Sequence, residues 1–377
     1  MTDDAADLNA KLIIDGAKVG WWRERVEAWE RGERVPPVML DIAWTRRCNA
    51  ACDFCAAKSQ ASASPSMDIP RDVAMQFLED AAAIGVKGIS LISDGESTLV
   101  DYYAESIEKC RAVGIRVGAG TNGIAFDREI LERILPHLSF LRFNCPAGES
   151  KRYSEIMGVK PVIFDKVSEN IALAVEIVKK HGYECNVNMN LVSDPKDSDQ
   201  LMPFSILAKR LGVHYAVIKH CFVDDDHMIA VNVEDYPKIE GLLKDCETLT
   251  EPDGSFRLVA KWNRISDGGA RHYSQCYGPQ FQLQMSGNGL IAPCGPYFNE
   301  KFKAFHIGNI LRDRFIDIFN SPRYAEVMSY IGSKHFDASK RCPPNCLQHL
   351  NNDWLYRFKH GKVSFPITPV PPQPEFI

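Results

Sequence analysis

The chain has 377 residues, of which 45% are hydrophobic and 25% are charged, a composition typical of a soluble enzyme with one large domain and a smaller one. The net charge of −5 at pH 7 and the lack of basic runs argue against nucleic acid as a partner. The sequence shows neither a signal peptide nor a membrane span, so we expect a cytoplasmic protein without a membrane partner.

Residues 1–36 precede the first predicted strand. The stretch DGAKVGWWRERVEAWERGERVPP, which begins at Asp15, has the apolar spacing of a single amphipathic helix. We therefore interpret residues 1–36 as an N-terminal helical segment.

Short apolar runs then alternate with amphipathic stretches. Six runs predict strands, which begin at Val38, Lys87, Ile115, Phe140, Glu184 and His214. The stretches between them predict helices, the first of which starts after Pro70 and ends at Gly85. Six consecutive β/α units predict an α/β fold over residues 37–245, with a parallel sheet that is either open or curved into a partial barrel. Its functional loops would follow the carboxyl ends of the strands.

The fifth strand has an unusual polar face. Asn186, Asn188 and Asn190 alternate with apolar residues, so they share one face of the strand. Such a row of asparagines favours a wet, ligand-lined channel inside a barrel. The alternative is an exposed edge strand.

The alternation stops after about residue 240, and the turn EPDGSF from Glu251 marks a boundary. Residues 246–360 form a second region, with a hairpin turn predicted at 287–289 and a helix at about 314–331. Residues 361–377 form a proline-rich tail that we expect to be extended.

Three cysteines follow the first predicted strand at the spacing C-x3-C-x2-C. They are Cys48, Cys52 and Cys55, with Phe54 directly before the third. Twelve cysteines in a reducing compartment indicate metal sites or reactive thiols rather than disulfides. Three thiolates can hold a 4Fe-4S cluster and leave one iron open. The alternative is a structural zinc site with a distant fourth ligand.

This segment resembles the signature of the radical S-adenosylmethionine (radical SAM) family. The resemblance implies a partial (β/α)6 barrel in which S-adenosylmethionine chelates the open iron. It also implies reductive cleavage of that cofactor to a 5'-deoxyadenosyl radical, with electrons from a partner such as flavodoxin or ferredoxin.

Further residues fit the same family in order along the chain. The stretch SDGESTL resembles the Gly-Gly-Glu-Pro segment, with Glu96 as the match for the methionyl ammonium, whereas Asp94 replaces its first glycine. By analogy, Arg142 and Asn144 would reach the carboxylate and ribose of the cofactor. The expected cofactor-binding residues are Phe54, Asp94, Gly95, Glu96, Asn122, Arg142, Asn144, Asn188 and Asn190.

A second cysteine set lies in the C-terminal region and consists of Cys276, Cys294, Cys342 and Cys346. Four thiolates suit a fully ligated 4Fe-4S cluster, with zinc as the alternative. The arrangement resembles the SPASM domain in its shortened form, called twitch. We therefore expect two 4Fe-4S clusters, of which one is auxiliary.

Two reactions of a small polar substrate remain open. After hydrogen abstraction from a carbinol carbon of a sugar, aminosugar or cyclitol, a thiol can return hydrogen to the opposite face and give an epimer. Cys145 and Cys221 end two strands and are candidate donors, whereas Cys110, Cys185 and Cys246 are interpreted as small hydrophobes.

Alternatively, the radical loses a proton to a base, such as Lys219 or His220, and an electron to the auxiliary cluster, which makes a ketone. We favour epimerisation slightly over oxidation. A peptide-modifying enzyme of the SPASM type and a non-enzymatic electron carrier are further alternatives.

Overall fold

The strands of the protein form one mixed sheet. The computed structural model describes residues 17–58, 68–221, 231, 233–262, 271–342 and 346–377. The strands are β1 Met39–Ile42, β2 Gly88–Leu91, β3 Arg116–Thr121, β4 Leu138–Asn144, β5 Asn186–Ser193, β6 Tyr215–His220, β7 Arg257–Ala260, β8 Gln282–Met285, β9 Leu290–Ala292 and β10 Gly308–Asn309.

Helices connect and cover these strands. The α-helices are α1 Arg23–Glu30, α2 Arg71–Ile84, α3 Tyr103–Ala112, α4 Arg128–Ile134, α5 Ser150–Met157, α6 Val162–His181, α7 Leu201–Leu211, α8 Glu240–Glu247, α9 Phe315–Asn320, α10 Pro322–Ile331, α11 Ala338–Arg341 and α12 His349–Lys359. Helix α2 has the boundaries and the buried apolar residues that the sequence pattern predicted. It follows Pro70, buries Phe77 and Leu78, and ends at Gly85, whose φ of 101° favours glycine.

The order of the described strands is β10-β9-β8-β1-β2-β3-β4-β5-β6-β7. Strands β1 to β7 are parallel neighbours, and β8 also pairs in parallel with β1. Among the described strands, β8 pairs antiparallel with β9 and β9 pairs antiparallel with β10. The predicted α/β fold with six parallel strands is confirmed, and the sheet is that of a partial barrel.

The alternation of side chains separates an apolar face from a polar one. In β5, Val187, Met189 and Leu191 belong to the main hydrophobic core, whereas Asn188 and Asn190 lie on the opposite face. Strand β5 lies between β4 and β6, so it is not the edge strand of the alternative interpretation. Its buried asparagines therefore line the interior of the partial barrel.

Two elements differ from the prediction. The expected end of the first region at residue 245 is not an end of the sheet, because β7 pairs with β6 beyond it. The predicted helix at 314–331 is two helices, since Ser321 is extended and caps α10 through its side chain. The hairpin predicted at 287–289 is confirmed between β8 and β9.

The N-terminal helix and the C-terminal tail pack together. Val26 and Trp29 of α1 share a small apolar cluster with Leu355 of α12. The Trp22 indole donates to the carbonyl of Pro374 at 3.0 Å. Among the described residues, no helix has the length and apolar character needed to cross a membrane.

Candidate functional site

The three-cysteine loop directly follows β1 at the carboxyl edge of the sheet. It is fastened to the end of α5, because Ala51 N donates to Met157 O at 2.9 Å and Asp53 N donates to Ile156 O at 3.0 Å. The Cys52 thiol faces Met157 Sδ at 3.3 Å. These contacts fix the backbone that carries Cys48, Cys52 and Cys55.

Asn122, which follows β3, contacts the same cysteine loop. Its Nδ2 donates to Asn49 Oδ1 at 2.6 Å and lies 3.8 Å from Cys48 Sγ. The predicted cofactor-binding residue Asn122 and the predicted iron ligand Cys48 are therefore neighbours.

Glu96 holds the ends of β2 and β3 together. Its Oε1 accepts from Thr98 Oγ1 and from Thr121 Oγ1, both at 2.9 Å, and from Thr98 N at 3.4 Å. Its Oε2 accepts from Asn122 N at 2.7 Å. Burial raises the pKa of this carboxyl, whereas the hydrogen bonds from Asn122 and Thr98 oppose the rise. Glu96 thus positions Asn122 in addition to any contact with a ligand.

Asp94 connects the cysteine loop to the C-terminal region. Its carboxylate accepts from Ser286 Oγ at 2.6 Å and from Gly287 N at 2.7 Å, and it pairs with Arg46 Nε at 3.0 Å. Both oxygens are therefore occupied by protein groups, which leaves little capacity for the cofactor contact predicted from the sequence.

Two glycines allow the backbones to approach at this point. A Cβ on Gly95 would lie 2.1 Å from Thr45 O, and a Cβ on Gly287 would lie 2.1 Å from Thr45 C. Gly95 also has a φ of 74°. The turn at Thr45 and Arg46 is thus clamped between the strand-two loop and the C-terminal hairpin, where only glycine fits.

The interior of the partial barrel carries a second polar group. Asp41 of β1 accepts from Gln282 Nε2 at 2.7 Å and from Gln284 Nε2 at 3.2 Å. Burial raises the pKa of Asp41, and hydrogen bonds from Gln282, Gln284 and Ser90 oppose the rise. Two residues of the C-terminal region therefore complete the lining of the barrel.

The opposite wall contains Arg142 and the asparagines of β5. Arg142 lies beside Asn188 in the sheet register, and Asn188 lies beside Tyr215 of β6. Asn190 Nδ2 donates to Asn144 Oδ1 at 3.1 Å. The predicted residues of β4 and β5 thus share one face.

Cys221 lies next to the cysteine loop. Its Sγ is 4.0 Å from the carbonyl oxygen of Phe54. The Tyr236 hydroxyl fixes the backbone, because it accepts from Cys221 N and donates to Ser193 O, both at 2.7 Å. Burial raises the pKa of Cys221 to about 12, so this thiol keeps its proton at neutral pH.

Cys145 has a different environment. It lies in the main hydrophobic core, and its thiol donates to Ala147 O at 3.2 Å. His220 likewise points away from the barrel interior, since its ring packs against Tyr236 on the side opposite to Lys219. Lys219 is partly buried on the inward side and lies within electrostatic reach of Cys221. Of the two candidate donors, Cys221 contacts the cysteine loop, through the carbonyl of Phe54.

The C-terminal cysteines form a second group, whose members are partly buried. Burial raises the pKa of Cys276 and Cys294 well above the usual value, and the nearby thiols of Cys342 and Cys346 raise it further. The positive charge of Arg271 opposes the rise. Arg271 Nη1 also donates to Cys342 O at 3.0 Å, which places a cation beside these thiols.

Comparison with known families agrees with this arrangement. The model of the Radical SAM superfamily matches residues 42–201. The model of SPASM, an iron-sulfur cluster-binding domain, matches residues 276–347. The chain is a radical SAM protein with a C-terminal SPASM domain.

Solved structures share the fold of this radical SAM protein. SuiB from Streptococcus suis, bound to S-adenosylmethionine, has a TM-score of 0.62 and 18% identity, over 82% of this chain and 72% of that chain. The structure of anSMEcpe with bound AdoMet has a TM-score of 0.57 and 17% identity, over 87% and 93% of the two chains. At such identities the likeness concerns the fold. A search of curated proteins finds no match.

The two domains imply S-adenosylmethionine and 4Fe-4S clusters as cofactors, and the cysteines fit this requirement. Desolvation raises the pKa of Cys48 and raises that of Cys52 to about 12. A thiolate set in such surroundings needs a strongly positive partner such as iron. Within the described ranges, no three metal-binding side chains already converge, and residues 343–345, between Cys342 and Cys346, lie outside those ranges.

Sequence reasoning missed the polar residues that come from distant segments. Asp41, Gln282 and Gln284 were not predicted, although a lone aspartate in an apolar strand and alternating glutamines are visible signals. Asn49 and Ser286 were also missed, because their roles depend on contacts with Asn122 and Asp94.

A surface cavity of about 320 Å³ lies elsewhere, in the SPASM domain. Its lining includes Glu300, His306 and Asp313 and contains none of the predicted site residues. We therefore place the functional site at the carboxyl edge and interior of the barrel.

Proposed function

We propose that this radical SAM enzyme epimerises a carbinol carbon of a small polar substrate, such as a sugar, aminosugar or cyclitol, with Cys221 as the hydrogen-atom donor. When bound, S-adenosylmethionine and the clusters supply a hydrogen-abstracting radical and one-electron chemistry. The chain itself must bind the substrate, orient it and return hydrogen.

The position of Cys221 carries this proposal. Its protonated thiol lies 4.0 Å from the carbonyl of Phe54, inside the predicted cluster loop. A hydrogen-atom donor needs a protonated thiol, and burial keeps this one protonated. Tyr236 holds its backbone, so the thiol has a defined position.

The barrel interior supports a polar substrate. Buried amide and carboxylate groups from β1, β5 and β8 face it, together with the half-buried Arg142 and Asn144 of β4, in place of the branched apolar residues that fill a packed barrel. A small number of polar groups at fixed positions in a concave site orient the ligand and provide specificity. Hydroxyl and amino groups of a sugar-like substrate are suitable partners for them.

The test compares Cys221→Ala with wild type during anaerobic turnover in deuterated water, with a pool of sugars and cyclitols. Wild type should make a product heavier by about one mass unit, because a thiol exchanges its hydrogen with solvent. Cys221→Ala should still form 5'-deoxyadenosine but incorporate no deuterium. Cys145→Ala is the matched control, since its thiol is equally buried but lies in the apolar core. Unchanged deuterium incorporation in Cys221→Ala would refute the proposal.

Oxidation to a ketone is the alternative outcome of the same experiment. Lys219 is then the base that accepts the carbinol proton, since it lies on the inward side near Cys221. The product would be lighter by about two mass units and free of solvent deuterium, as expected from loss of two hydrogens. Cys221→Ala would then keep its activity, whereas Lys219→Met would lose it.

Peptide modification is the second candidate. SuiB has been solved with the precursor peptide SuiA, and anSMEcpe with the Cp18Cys peptide. Their shared fold with this chain favours testing a peptide pool in parallel. Substrate-dependent 5'-deoxyadenosine formation with peptides, and none with sugars or cyclitols, would replace the small-molecule proposal.

A further inference from the structure

Two polar atoms in the middle of the barrel wall lack hydrogen-bond partners in the part of the chain that the structure describes. Arg142 occupies the middle of β4, and its neighbour in the register is Asn188 of β5. Neither Arg142 Nε nor Asn188 Oδ1 has a hydrogen-bond partner among the described residues, although both atoms are buried. Buried polar atoms are nearly always paired, so this pair of atoms indicates a ligand.

The nearby carboxylate does not satisfy Arg142. Burial lowers the pKa of Arg142, whereas interactions with Tyr215 and with the charge of Asp41 raise it. The Asp41 oxygens instead accept hydrogen bonds from Gln282 and Gln284. Arg142 therefore keeps a planar set of donors directed into the barrel, and such a set matches a carboxylate or phosphate.

Asn188 supplies the complementary group. Its Nδ2 donates to Asn186 O at 3.4 Å, which leaves Oδ1 as an acceptor beside the guanidinium. A ligand that fits both residues carries an anionic group and, next to it, a hydroxyl or ammonium donor.

Arg142 and Asn188 lie deeper in the barrel than the loops that are expected to bind the cofactor. Asn144 is the last residue of β4, and Arg142 lies two residues, or about 6.6 Å, farther into the barrel. The cysteine loop, Glu96 and Asn122 all follow the carboxyl ends of their strands. The deeper position suits the far end of a substrate better than the methionine carboxylate of the cofactor.

We propose that Arg142 and Asn188 form an anion subsite that binds a carboxylate or phosphate of the substrate next to a hydroxyl or ammonium group. The assignment of the anion to the substrate rests on the proposed function, whereas the anion site itself does not. The substrate class is thus an acidic or phosphorylated sugar-like molecule.

The test uses anion binding without turnover. Cluster-reconstituted enzyme saturated with S-adenosylmethionine is titrated with inorganic phosphate or lactate, and chloride at equal ionic strength is the reference. The midpoint of thermal unfolding should rise with phosphate or lactate in wild type. In Arg142→Gln the apparent anion affinity should fall at least tenfold, as expected for loss of a charge-assisted pair. Asn188→Leu should also weaken lactate binding, because the lactate hydroxyl loses its acceptor.

Arg116→Gln is the matched control. Arg116 is another arginine of the same sheet, but it pairs with Glu375 at 3.1 Å, so its replacement should leave the anion effect unchanged. If Arg142→Gln fails to load clusters, Arg142→Lys takes its place and should show weaker but measurable anion binding, since the charge remains without the planar donor set.

A second measurement distinguishes an anionic group of the substrate from the carboxylate of S-adenosylmethionine as the ligand of Arg142. Equilibrium dialysis of S-adenosylmethionine should give the same affinity for wild type and Arg142→Gln. A loss of cofactor affinity without a loss of phosphate or lactate binding would assign Arg142 to the cofactor carboxylate and overturn the proposal. Absence of any anion effect in wild type would also overturn it. Failure of the epimerisation test would leave these anion measurements unaffected.

Discussion

Glu96 accepts four hydrogen bonds from Thr98, Thr121 and Asn122, which nearly fills the acceptor capacity of a carboxylate. Through Asn122 this network reaches Asn49 and the thiol of Cys48. A residue predicted as a cofactor ligand therefore also determines the position of the cluster loop.

Replacing Glu96 with Gln should weaken cofactor binding. The amide NH2 cannot accept from a backbone N–H, so a buried donor loses its partner at a cost of about 1–3 kcal/mol in unfolding free energy. We also expect S-adenosylmethionine affinity to fall several-fold, as one lost hydrogen bond would predict. Thermal unfolding and equilibrium dialysis measure the two effects.

Two controls distinguish an indirect effect of Glu96, through the position of Asn122 and the cluster loop, from a direct contact of Glu96 with the cofactor. Glu132→Gln changes a carboxylate that pairs with Arg128 on the exposed side of α4 and should leave both quantities unchanged. Thr121→Val removes one donor to Glu96 without changing the carboxylate. If Thr121→Val binds the cofactor as wild type does, bracing through Glu96 is contradicted.

At the residue scale, the sequence predicted side chains that belong to local motifs. Cys48, Cys52 and Cys55 are close in sequence, so their proximity needs no tertiary information. The hydrogen bonds from Ser286 and Gly287 to the Asp94 carboxylate were not predictable, because they join segments about 190 residues apart. The orientation of the Cys145 thiol also depended on packing that alternation alone does not define.

At the element scale, the hairpin between β8 and β9 contacts the cluster loop. Asp94 binds Ser286 and Gly287, and Gly287 packs on the backbone of Thr45. The SPASM domain therefore helps to position the loop that carries the predicted iron ligands of the radical SAM domain.

Asp94→Ala should loosen this contact. The variant removes two short hydrogen bonds and leaves the partly buried Arg46 without this carboxylate, a change that costs about 2–4 kcal/mol in stability. Hydrogen exchange should rise at 45–47 and 286–289, and the affinity for S-adenosylmethionine should fall.

Asp80→Ala is the matched control for this variant. Asp80 is a buried aspartate of α2 that binds Arg314 and the backbone of α9, so it also joins the two parts of the chain. It lies away from the cluster loop, and its loss should lower stability without changing cofactor affinity. Equal effects of both variants on cofactor affinity would refute a specific role for the hairpin.

The sequence predicted the six β/α strands to within two residues at either end, because each has a clear apolar period and a glycine or proline boundary. Strand β7 was missed, since its four residues follow a turn and carry little periodicity. The break at Ser321 was also missed, although a serine before proline is a typical helix start.

At the scale of the whole molecule, the C-terminal tail closes the amino-terminal end of the barrel. Glu375 pairs with Arg116 of β3 at 3.1 Å, and the Phe376 ring contacts Phe140 of β4 edge-on at 5.0 Å. Gln373 Nε2 donates to Ser139 O at 2.9 Å. The tail predicted to be extended is thus a structural part of the barrel.

Removing residues 373–377 should destabilise the radical SAM domain. The truncation exposes Phe140 and leaves Arg116 without Glu375, so we expect the unfolding free energy to fall by about 2 kcal/mol or more. The midpoint of thermal unfolding measures this loss. Ile367→Ser, at a position 98% exposed, is the control, and an equal midpoint for both proteins would contradict the role of the tail.

The shared sheet could not be predicted from the sequence. Local patterns indicated two regions with a boundary near residue 245, but the pairing of β8 with β1 is a long-range contact that no local pattern specifies. As a result, the sequence predicted the two cysteine sets and missed the glutamines that the SPASM domain adds to the barrel interior.

The central claim is that Cys48, Cys52 and Cys55 support reductive cleavage of S-adenosylmethionine, independently of the C-terminal cysteine set. The most direct measurement is anaerobic incubation of reduced, cluster-reconstituted wild type and Cys48→Ala with S-adenosylmethionine, with 5'-deoxyadenosine and bound iron quantified together. The account predicts 5'-deoxyadenosine from wild type and none from Cys48→Ala, which should keep the iron of the second cluster. Equal formation of 5'-deoxyadenosine by the variant, or none by fully loaded wild type, would contradict it.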